Sequence, residues 1–326
     1  MGNRNACLKL TVAILALAAS SQRSSAQDTT EICLWDAKSG ELIRVMSQDG
    51  TATSVAFSPD GSTLASGSGS GGFETGFLNI WDVKIGKLVR KAELDGAINA
   101  LQFFPGGKTL AVGTLKGTLL VSSQTGKPIA KLGDGYTTFL DVSDDGQIVV
   151  SNAGGKVAVW DVATRKAVAE VKPKDYAYGV SISPDSKRFA FGSRAGGVGI
   201  VESATGRIEH TFETPKLVQT VAFSPDGKQL AAGNYFTGEL YIWDMSTREK
   251  ITDVKLSNQG IFSLAWSLQG AFLAASVYHD RIIILLDPKT GKHLETIITA
   301  ILGARSVTVS PDGSLIAAAC TPTVMR

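Results

Sequence analysis

A chain of 326 residues with 44% hydrophobic and 19% charged residues can bury a large core, and these proportions exclude a disordered chain. The 35 glycines predict many tight turns, and a formal net charge of +2 gives no electrostatic signature of nucleic-acid binding. Length alone does not require two domains, because closed all-β architectures often exceed about 200 residues as one unit.

The first 26 residues predict a secretory signal peptide. Arg4 and Lys9 give a positive start, residues 10–19 form an apolar run, and Ser24, Ser25 and Ala26 are small residues suited to cleavage. The alternative is a membrane anchor, but this run is shorter than the roughly 20 residues that a spanning helix needs. We therefore predict export to the periplasm or the extracellular space, with residues 27–326 as one domain. Cleavage removes three of the 32 basic residues and no acidic one, which leaves 29 against 30.

One short element recurs along most of the chain and indicates an internal repeat. An apolar strand that runs into a Ser-Pro-Asp-Gly turn occurs at residues 55–61, 221–227 and 307–313, and degraded copies begin at residues 101, 140, 180 and 264. The seven starts are separated by 46, 39, 40, 41, 43 and 43 residues, a period that is typical of propeller blades. Proline and glycine supply the backbone angles of a tight hairpin at this turn.

Each period contains four predicted strands, which is the content of one blade. The strand before the turn is followed by a second strand rich in small residues, such as residues 63–67 and 229–233. A third strand alternates apolar residues, as at 78–82, 157–161 and 240–244, and a fourth follows, as at 126–132. We therefore predict an all-β fold of four-stranded antiparallel blades.

The third strand closes with Trp-Asp at positions 35–36, 81–82, 160–161 and 243–244. In this feature the repeat resembles the WD-repeat (WD40) β-propeller family, in the style of its bacterial exported members, over residues 31–326. The equivalent pairs in three blades are Ser122-Ser123, Val201-Glu202 and Leu286-Asp287, and the Gly-His pair of many family members is missing. The family's buried hydrogen-bond network of His, Ser or Thr, Asp and Trp is therefore not expected in its usual form.

The two ends of the chain predict how the ring closes. Residues 31–36 and 41–46 form two strands before the first full repeat, and the last repeat has only its first two strands. Together they make one composite blade, which gives a seven-bladed β-propeller closed by a blade from both termini. A closed ring leaves no sheet edge at the junction.

Cys33 and Cys320 fall on neighbouring strands of this composite blade, with Cys33 opposite Ala318. They are therefore diagonal neighbours about 7–8 Å apart, which is slightly long for a disulfide. Two interpretations stay open, namely a disulfide that fastens the closure or two small buried apolar side chains.

No catalytic residue, metal site or cofactor is predicted. The three histidines are His210 and His293 on predicted outer strands and His279 in a hairpin loop, so no nucleophile, base and orienting acid converge. There is no paired-cysteine or His-Glu-x-x-His spacing, and the Asp-Gly turns lack the later ligands of a calcium loop.

The predicted binding surface is the rim formed by the loops between second and third strands and between fourth and next first strands. The resemblance implies that this face binds partners, and aromatic and arginine residues are frequent interface anchors. The longest loop, residues 67–77, is the best single candidate, although some rim aromatics are expected to fold back as caps. The predicted binding residues are Phe73, Glu74, Phe77, Tyr136, Tyr176, Tyr178, Arg194, Tyr235, Phe236, Tyr278 and Arg281.

The sequence predicts an exported WD40-repeat scaffold that binds a protein or peptide through this rim without catalysis. No nucleic-acid partner and no transmembrane segment in the mature chain are expected. One alternative is a propeller enzyme, or a cofactor-binding or small-ligand-binding protein, that uses the central channel. The predicted first strands of this chain, which would line that channel, are mostly apolar, and only Asp141 stands out as a charged residue. A second alternative is a structural or ligand-sensing part of a cell-envelope complex.

Overall fold

The computed structural model describes residues 30–69, 74–299 and 302–322, and this part of the chain is entirely β-structure and turns. Its 28 strands form seven four-stranded antiparallel sheets, each a blade of one ring. The predicted seven-bladed β-propeller is therefore confirmed. The predicted signal peptide lies outside the described residues.

The strands follow each other in chain order within six of the blades. Blade 1 has β3 (Thr51–Phe57), β4 (Thr63–Gly69), β5 (Thr75–Asp82) and β6 (Leu88–Asp95). Blade 2 has β7 (Ile98–Phe103), β8 (Thr109–Thr114), β9 (Gly117–Ser122) and β10 (Pro128–Asp134). Blade 3 has β11 (Leu140–Val142), β12 (Ile148–Ala153), β13 (Lys156–Asp161) and β14 (Lys166–Val171).

The second half of the ring repeats this order. Blade 4 has β15 (Ala177–Ile182), β16 (Arg188–Ser193), β17 (Val198–Glu202) and β18 (Ile208–Phe212). Blade 5 has β19 (Val218–Phe223), β20 (Gln229–Asn234), β21 (Glu239–Asp244) and β22 (Lys250–Lys255). Blade 6 has β23 (Ile261–Trp266), β24 (Leu273–Val277), β25 (Ile282–Leu286) and β26 (His293–Ile298).

Blade 7 is the composite blade that the chain ends predict. Its strands are β27 (Leu302–Val309), β28 (Leu315–Pro322), β1 (Thr30–Asp36) and β2 (Leu42–Gln48). The sheet order is β2-β1-β28-β27, so the two ends of the chain pair directly with each other. The register places Cys33 opposite Ala318 and Glu31 opposite Cys320. Both cysteines are buried free thiols in this structure, so the suggested disulfide is absent from it.

The core lies between neighbouring blades rather than within each one. One cluster, for example, combines Leu78 and Ile80 of blade 1 with Ile98, Leu101 and Leu110 of blade 2. The second strands carry Ala, Gly and Ser because the facing blade leaves little room, and a Cβ added at Gly67 would lie 2.4 Å from Cγ2 of Ile98. Each blade therefore buries its face only when the next blade is present.

Side chains also join the backbones of adjacent blades around the central channel. Every blade junction has at least one such hydrogen bond between described residues. The pairs are Ser54 with Leu101 N, Asn99 with Thr137 O, Asp141 with Ile182 N, Ser181 with Phe223 N, Trp266 with Ala222 O, Ser263 with Val307 N, and Ser306 with Val55 N.

A shortened form of the buried tryptophan network is present. Trp81 Nε1 donates to Ser66 Oγ at 2.8 Å, and Ser66 Oγ donates to Gln48 Oε1. In blade 3, Trp160 Nε1 donates to Ser151 Oγ at 2.9 Å. The network thus forms without histidine, since glutamine and serine supply the acceptors.

Among the described residues, no helix has the length and apolar character needed to cross a bilayer.

Candidate functional site

The candidate site is the upper end of the central channel, where the loops of the predicted rim begin. Strands alternate in direction, so the loops between second and third strands and those that lead to the next first strand share this upper face. The channel has a volume of about 640 Å³, and the seven innermost strands line it.

A β-bulge sits near the upper end of the innermost strand in six blades. The extra residue has no partner on the second strand, and a bulge of this kind turns a side chain away from its sheet. The bulged residues are Thr53, Asn99, Tyr178 with Gly179, Gln219, Phe262 and Arg305. Together with Thr138 of blade 3 they form what we call the channel mouth.

Arg305 is the cation of the channel mouth. Its side chain is exposed and lines the channel together with Thr53, Asn99 and Phe262. Within the described part of the chain, no ion pair or hydrogen bond engages its guanidinium. The charge also acts on Tyr136, whose pKa is raised chiefly because partial burial disfavours the phenolate, while Arg305 acts in the opposite direction. A cation without an acidic partner can bind an anion.

Aromatic side chains form two groups beside this cation. In the first, Tyr178 lies 6.1 Å from both Phe139 and Tyr176, measured between ring centroids. Tyr176 and Tyr136 are 37% and 44% exposed. The second group is larger and contains Tyr235, Phe236, Phe262, Tyr278 and His279, with neighbouring centroids 4.9–5.7 Å apart.

Phe262 connects the second aromatic group to the channel. Its ring lies 5.1 Å from Tyr235 and 4.9 Å from Tyr278, and it lines the channel itself. Phe236, at the outer end of the group, is 60% exposed. The group therefore offers a partly exposed apolar surface that continues from the rim into the channel mouth.

Asp141 is an acidic residue deeper in the channel, which Asp144 also lines. Burial raises its pKa to about 7, although its carboxylate accepts hydrogen bonds from Ile182 N at 2.8 Å and Val142 N at 2.9 Å. Both acceptor oxygens are therefore used to hold backbone amides. This arrangement is that of a side chain that joins two blades.

The predicted loop of residues 67–77 is shorter than the sequence suggested. Residues 67–69 pair with residues 76–78 in the β4–β5 ladder, so Phe77 lies in a strand. The glycines there allow close packing against blade 2 instead of loop flexibility, as the contact of Gly67 with Ile98 shows. Lys91 Nζ lies 4.3 Å from the centre of the Phe77 ring. Phe73 lies outside the described residues, and Glu74 is exposed with Lys116 4.0 Å away.

The two predicted rim arginines have different positions. Arg194 is exposed in the turn between β16 and β17, and its backbone N–H donates to Tyr176 O at 2.9 Å. Arg281 has a φ of 59° in the turn after Tyr278, and its carbonyl accepts from Thr299 N. Of the predicted rim aromatics, the structure places Tyr136, Tyr176 and Tyr178 in one group and Tyr235, Phe236 and Tyr278 in another.

Sequence reasoning missed Phe139 and Phe262, which line the channel and belong to the first and the second aromatic group, respectively. They lie at the start of innermost strands, where the repeat pattern shows only a strand. For Phe262, the signal that could have found it is an extra residue between the loop and the alternating strand, as in the other bulged strands.

Other chemistry-bearing groups stay apart. His210 contacts Arg248 and Phe212 on an outer strand, and His293 bonds to Thr296. In the described ranges, no three His, Cys, Asp or Glu side chains are grouped so that they could hold a metal ion.

Comparison with known proteins agrees with this architecture. The family described as WD domain, G-beta repeat matches residues 40–82 and 206–244. Each match begins near an outer strand and ends at the Trp-Asp pair of the following blade, at Asp82 and Asp244. The chain is thus a seven-bladed β-propeller that contains WD40 repeats.

Two curated relatives carry WD repeats in their names. The chain is 34% identical over 118 residues to WD repeat-containing protein SL1-17 of Schistosoma mansoni, which is 35% of this chain and 38% of that protein. It is 28% identical over 184 residues to ciliary WD repeat-containing protein ctxp80 of Euplotoides octocarinatus, which is 48% of this chain and 26% of that protein. The chain thus matches well under half the length of these relatives.

Among solved structures, hydrazine synthase of Kuenenia stuttgartiensis contains a similar chain. The TM-score is 0.72 at 20% identity, and the likeness covers 84% of this chain and 96% of that one. At this identity the likeness shows the fold alone.

Proposed function

We propose that this chain is an exported, non-catalytic scaffold that binds a protein or peptide at the channel mouth. The observation that carries the proposal is Arg305, a cation without an acidic partner among the described residues, set beside partly exposed aromatic rings. Aromatic and arginine side chains supply most of the binding energy at many interfaces. WD40 repeats also occur in the relatives described above, and WD40 propellers commonly bind proteins.

The charge at the mouth defines the chemistry of the partner. A carboxylate on an extended segment can pair with Arg305, while apolar residues that flank it contact Phe262 on one side and Tyr178 on the other. A segment of this type fits a mouth at which Arg305 and the partly exposed ring of Phe262 both line the channel. We therefore propose an acidic peptide segment with neighbouring apolar residues.

The test is affinity purification of the tagged, exported protein with quantitative mass spectrometry, comparing wild type with Arg305→Ala and Phe262→Ala. Loss of a specific partner by at least about tenfold in both variants is expected, because both side chains are interface anchors. The matched control is Lys108→Ala, which removes an exposed cation from the opposite face. Equal recovery with all four proteins would overturn the proposal.

The second candidate function is binding of a small molecule in the channel. It is favoured by Asp141, whose pKa of about 7 lies in the range of a proton-transfer group. The two backbone hydrogen bonds of Asp141 favour a structural role instead. Native mass spectrometry of the purified protein separates the two, since a specific bound small molecule without a protein partner would replace the scaffold proposal.

The export part of the proposal has its own test. A chain with residues 1–26 fused to a reporter that is active only outside the cytoplasm should show activity, and N-terminal sequencing of the secreted protein should begin near residue 27. A reporter that stays inactive would refute export and leave the binding proposal intact.

A further inference from the structure

The seam between the two chain ends holds a pair of thiols that the proposed function does not use. Cys33 lies on β1 and Cys320 on β28, next to each other in the composite blade. Cys33 is 6% exposed and Cys320 is fully buried, and both belong to the same core cluster, with Ala304, Ala318 and Trp35. The two side chains therefore point to the same face of the sheet.

The two thiols are in contact. A hydrogen bond between Cys33 and Cys320 is the main reason why the pKa of the Cys33 thiol is raised, followed by burial. The ladder between β1 and β28 has a regular register from Glu31 to Asp36, so the cysteines are diagonal neighbours across two antiparallel strands. Their contact spans the one strand pair that joins the beginning of the ring to its end.

We propose that Cys33 and Cys320 form a disulfide that locks the composite blade, with the free-thiol structure as its reduced form. The oxidant is a small disulfide such as glutathione disulfide. In two exchange steps the sulfur–sulfur bond of glutathione disulfide breaks, one forms between Cys33 and Cys320, and the two protons and two electrons of the protein thiols pass to two glutathione thiols.

The surroundings of the pair decide when this bond forms. Both thiols are buried, so a dissolved oxidant cannot reach them while the seam is closed. Glu31, which lies opposite Cys320, is 7% exposed, and its Oε2 atom has no hydrogen-bond partner among the residues that the structure describes. Its carboxylate adds to the rise in the pKa of Cys33, which reduces the thiolate fraction. Oxidation therefore takes place during folding or when the ends of the ring open.

Once formed, the bond would enclose nearly the whole ring. A cross-link that closes a long loop restricts the unfolded chain more than one that closes a short loop. The diagonal position gives a less relaxed bond than a directly opposed pair, so reductant should open it more easily than a well-placed structural disulfide. The bond would thus act as a latch that responds to the redox state of its surroundings.

The experiment uses the full chain with Cys7→Ser, so that the pair contributes the two remaining thiols. The protein is unfolded and refolded in glutathione disulfide, then digested with trypsin without reduction. Mass spectrometry should find residues 24–38 joined to residues 306–326, and thiol titration in denaturant should fall from two groups to none. Oxidised protein should unfold at least about tenfold more slowly in denaturant than the same protein after reduction.

The main comparison is between the oxidised and reduced forms of one protein, so it does not depend on whether any further variant folds. Cys33→Ala is the matched control, and its unfolding rate should be the same with and without oxidant. Two thiols that stay free after refolding in excess glutathione disulfide would overturn the proposal. A mixed disulfide with glutathione in place of the joined peptides would overturn it as well. Either result leaves the binding proposal untouched.

Discussion

Asp141 shows how one side chain can depart from the pattern of its repeat. The equivalent position in blade 4 is Ser181, whose hydroxyl accepts from Phe223 N in the next blade. Asp141 makes the same link to Ile182 N with a carboxylate, in a channel that disfavours negative charge. The hydrogen bond between blades 3 and 4 is therefore kept, whereas the pKa of Asp141 rises.

The stability of the ring should therefore depend on the protonation of Asp141. Its folded-state pKa of about 7 lies above its usual value of 3.8, so the folded state binds more protons between these values. Stability from this group is highest at low pH and decreases as the pH rises from about 4 to about 7. Asp141→Asn should flatten that decrease, measured as urea midpoints at pH 5 and pH 8.

Asp141→Ser serves as a second variant, because it restores the acceptor that blade 4 carries. It should show the same flat pH dependence as Asp141→Asn. A decrease between pH 5 and pH 8 that persists unchanged in both variants would show that another group causes it.

Two buried serines allow a matched test of the tryptophan network. Ser66 accepts from Trp81 and donates to Gln48, whereas the buried hydroxyl of Ser276 has no hydrogen-bond partner within the described part of the chain. Ser66→Ala should cost about 1–2 kcal/mol of unfolding free energy, because it leaves the buried Trp81 Nε1–H without its acceptor. Ser276→Ala should be neutral or slightly stabilising. Chemical denaturation of both variants measures the difference, and equal losses would contradict this account.

At the scale of single elements, the lower turns are both hairpins and contacts between blades. Ser58 Oγ donates to Asp60 Oδ1 at 2.6 Å, and Gly61 adopts a φ of 69° to close the turn. A Cβ added at Gly61 would also lie 3.4 Å from Cδ of Pro311 in the neighbouring blade. The Pro-Asp-Gly turn thus connects neighbouring blades at the lower face.

Replacement of Gly61 tests how much the conformation of this turn contributes to stability. Gly61→Ala should lower stability by about 1 kcal/mol, because alanine is strained at this positive φ. The control is Gly106→Ala in the equivalent turn of blade 2, where a Cβ meets no atom within 4 Å. Thermal unfolding of both variants measures the effect, and equal melting temperatures would argue against it.

The bulges of the innermost strands are a second local feature with an effect on the candidate site. Their bulges place Tyr178, Phe262 and Arg305 at the channel mouth, while the residues that follow keep the regular ladder. A single extra residue in a strand thereby separates the candidate binding groups from the packed core.

At the scale of the whole molecule, the ring depends on pairing between its two ends. Strand β28 lies between β27 and β1, so its loss leaves β27 without a partner in the sheet, exposes one edge of β1 and opens the cores on either side. Removal of residues 315–326 should abolish cooperative unfolding, observed by near-ultraviolet circular dichroism during urea denaturation. Addition of a synthetic peptide of residues 313–326 should restore it in part. A truncated chain with the wild-type urea midpoint would refute this dependence.

The sequence by itself determined the number of blades and the way in which they close. The turn at residues 55–61 and its copies recur with a nearly constant period, and the strands at residues 31–36 and 315–320 are each incomplete without the other. These features follow from local patterns, because alternation of apolar residues and turn chemistry depend on neighbours along the chain. The register of Cys33 with Ala318 followed from the same alignment and is confirmed.

Only the tertiary structure decided which rim residues meet. Phe77 was expected in a loop and lies in a strand, since the glycines before it pack against Ile98 of another blade. The ring of Phe262 lies beside those of Tyr235 and Tyr278, which are 27 and 16 residues away in the sequence. The charge of Arg305 in blade 7 acts to lower the pKa of Tyr136, which lies just before blade 3. Such contacts arise from the curvature of the closed ring and the bulges of its innermost strands. The sequence pattern of a single blade does not predict the curvature, because the curvature depends on how the blades pack in space.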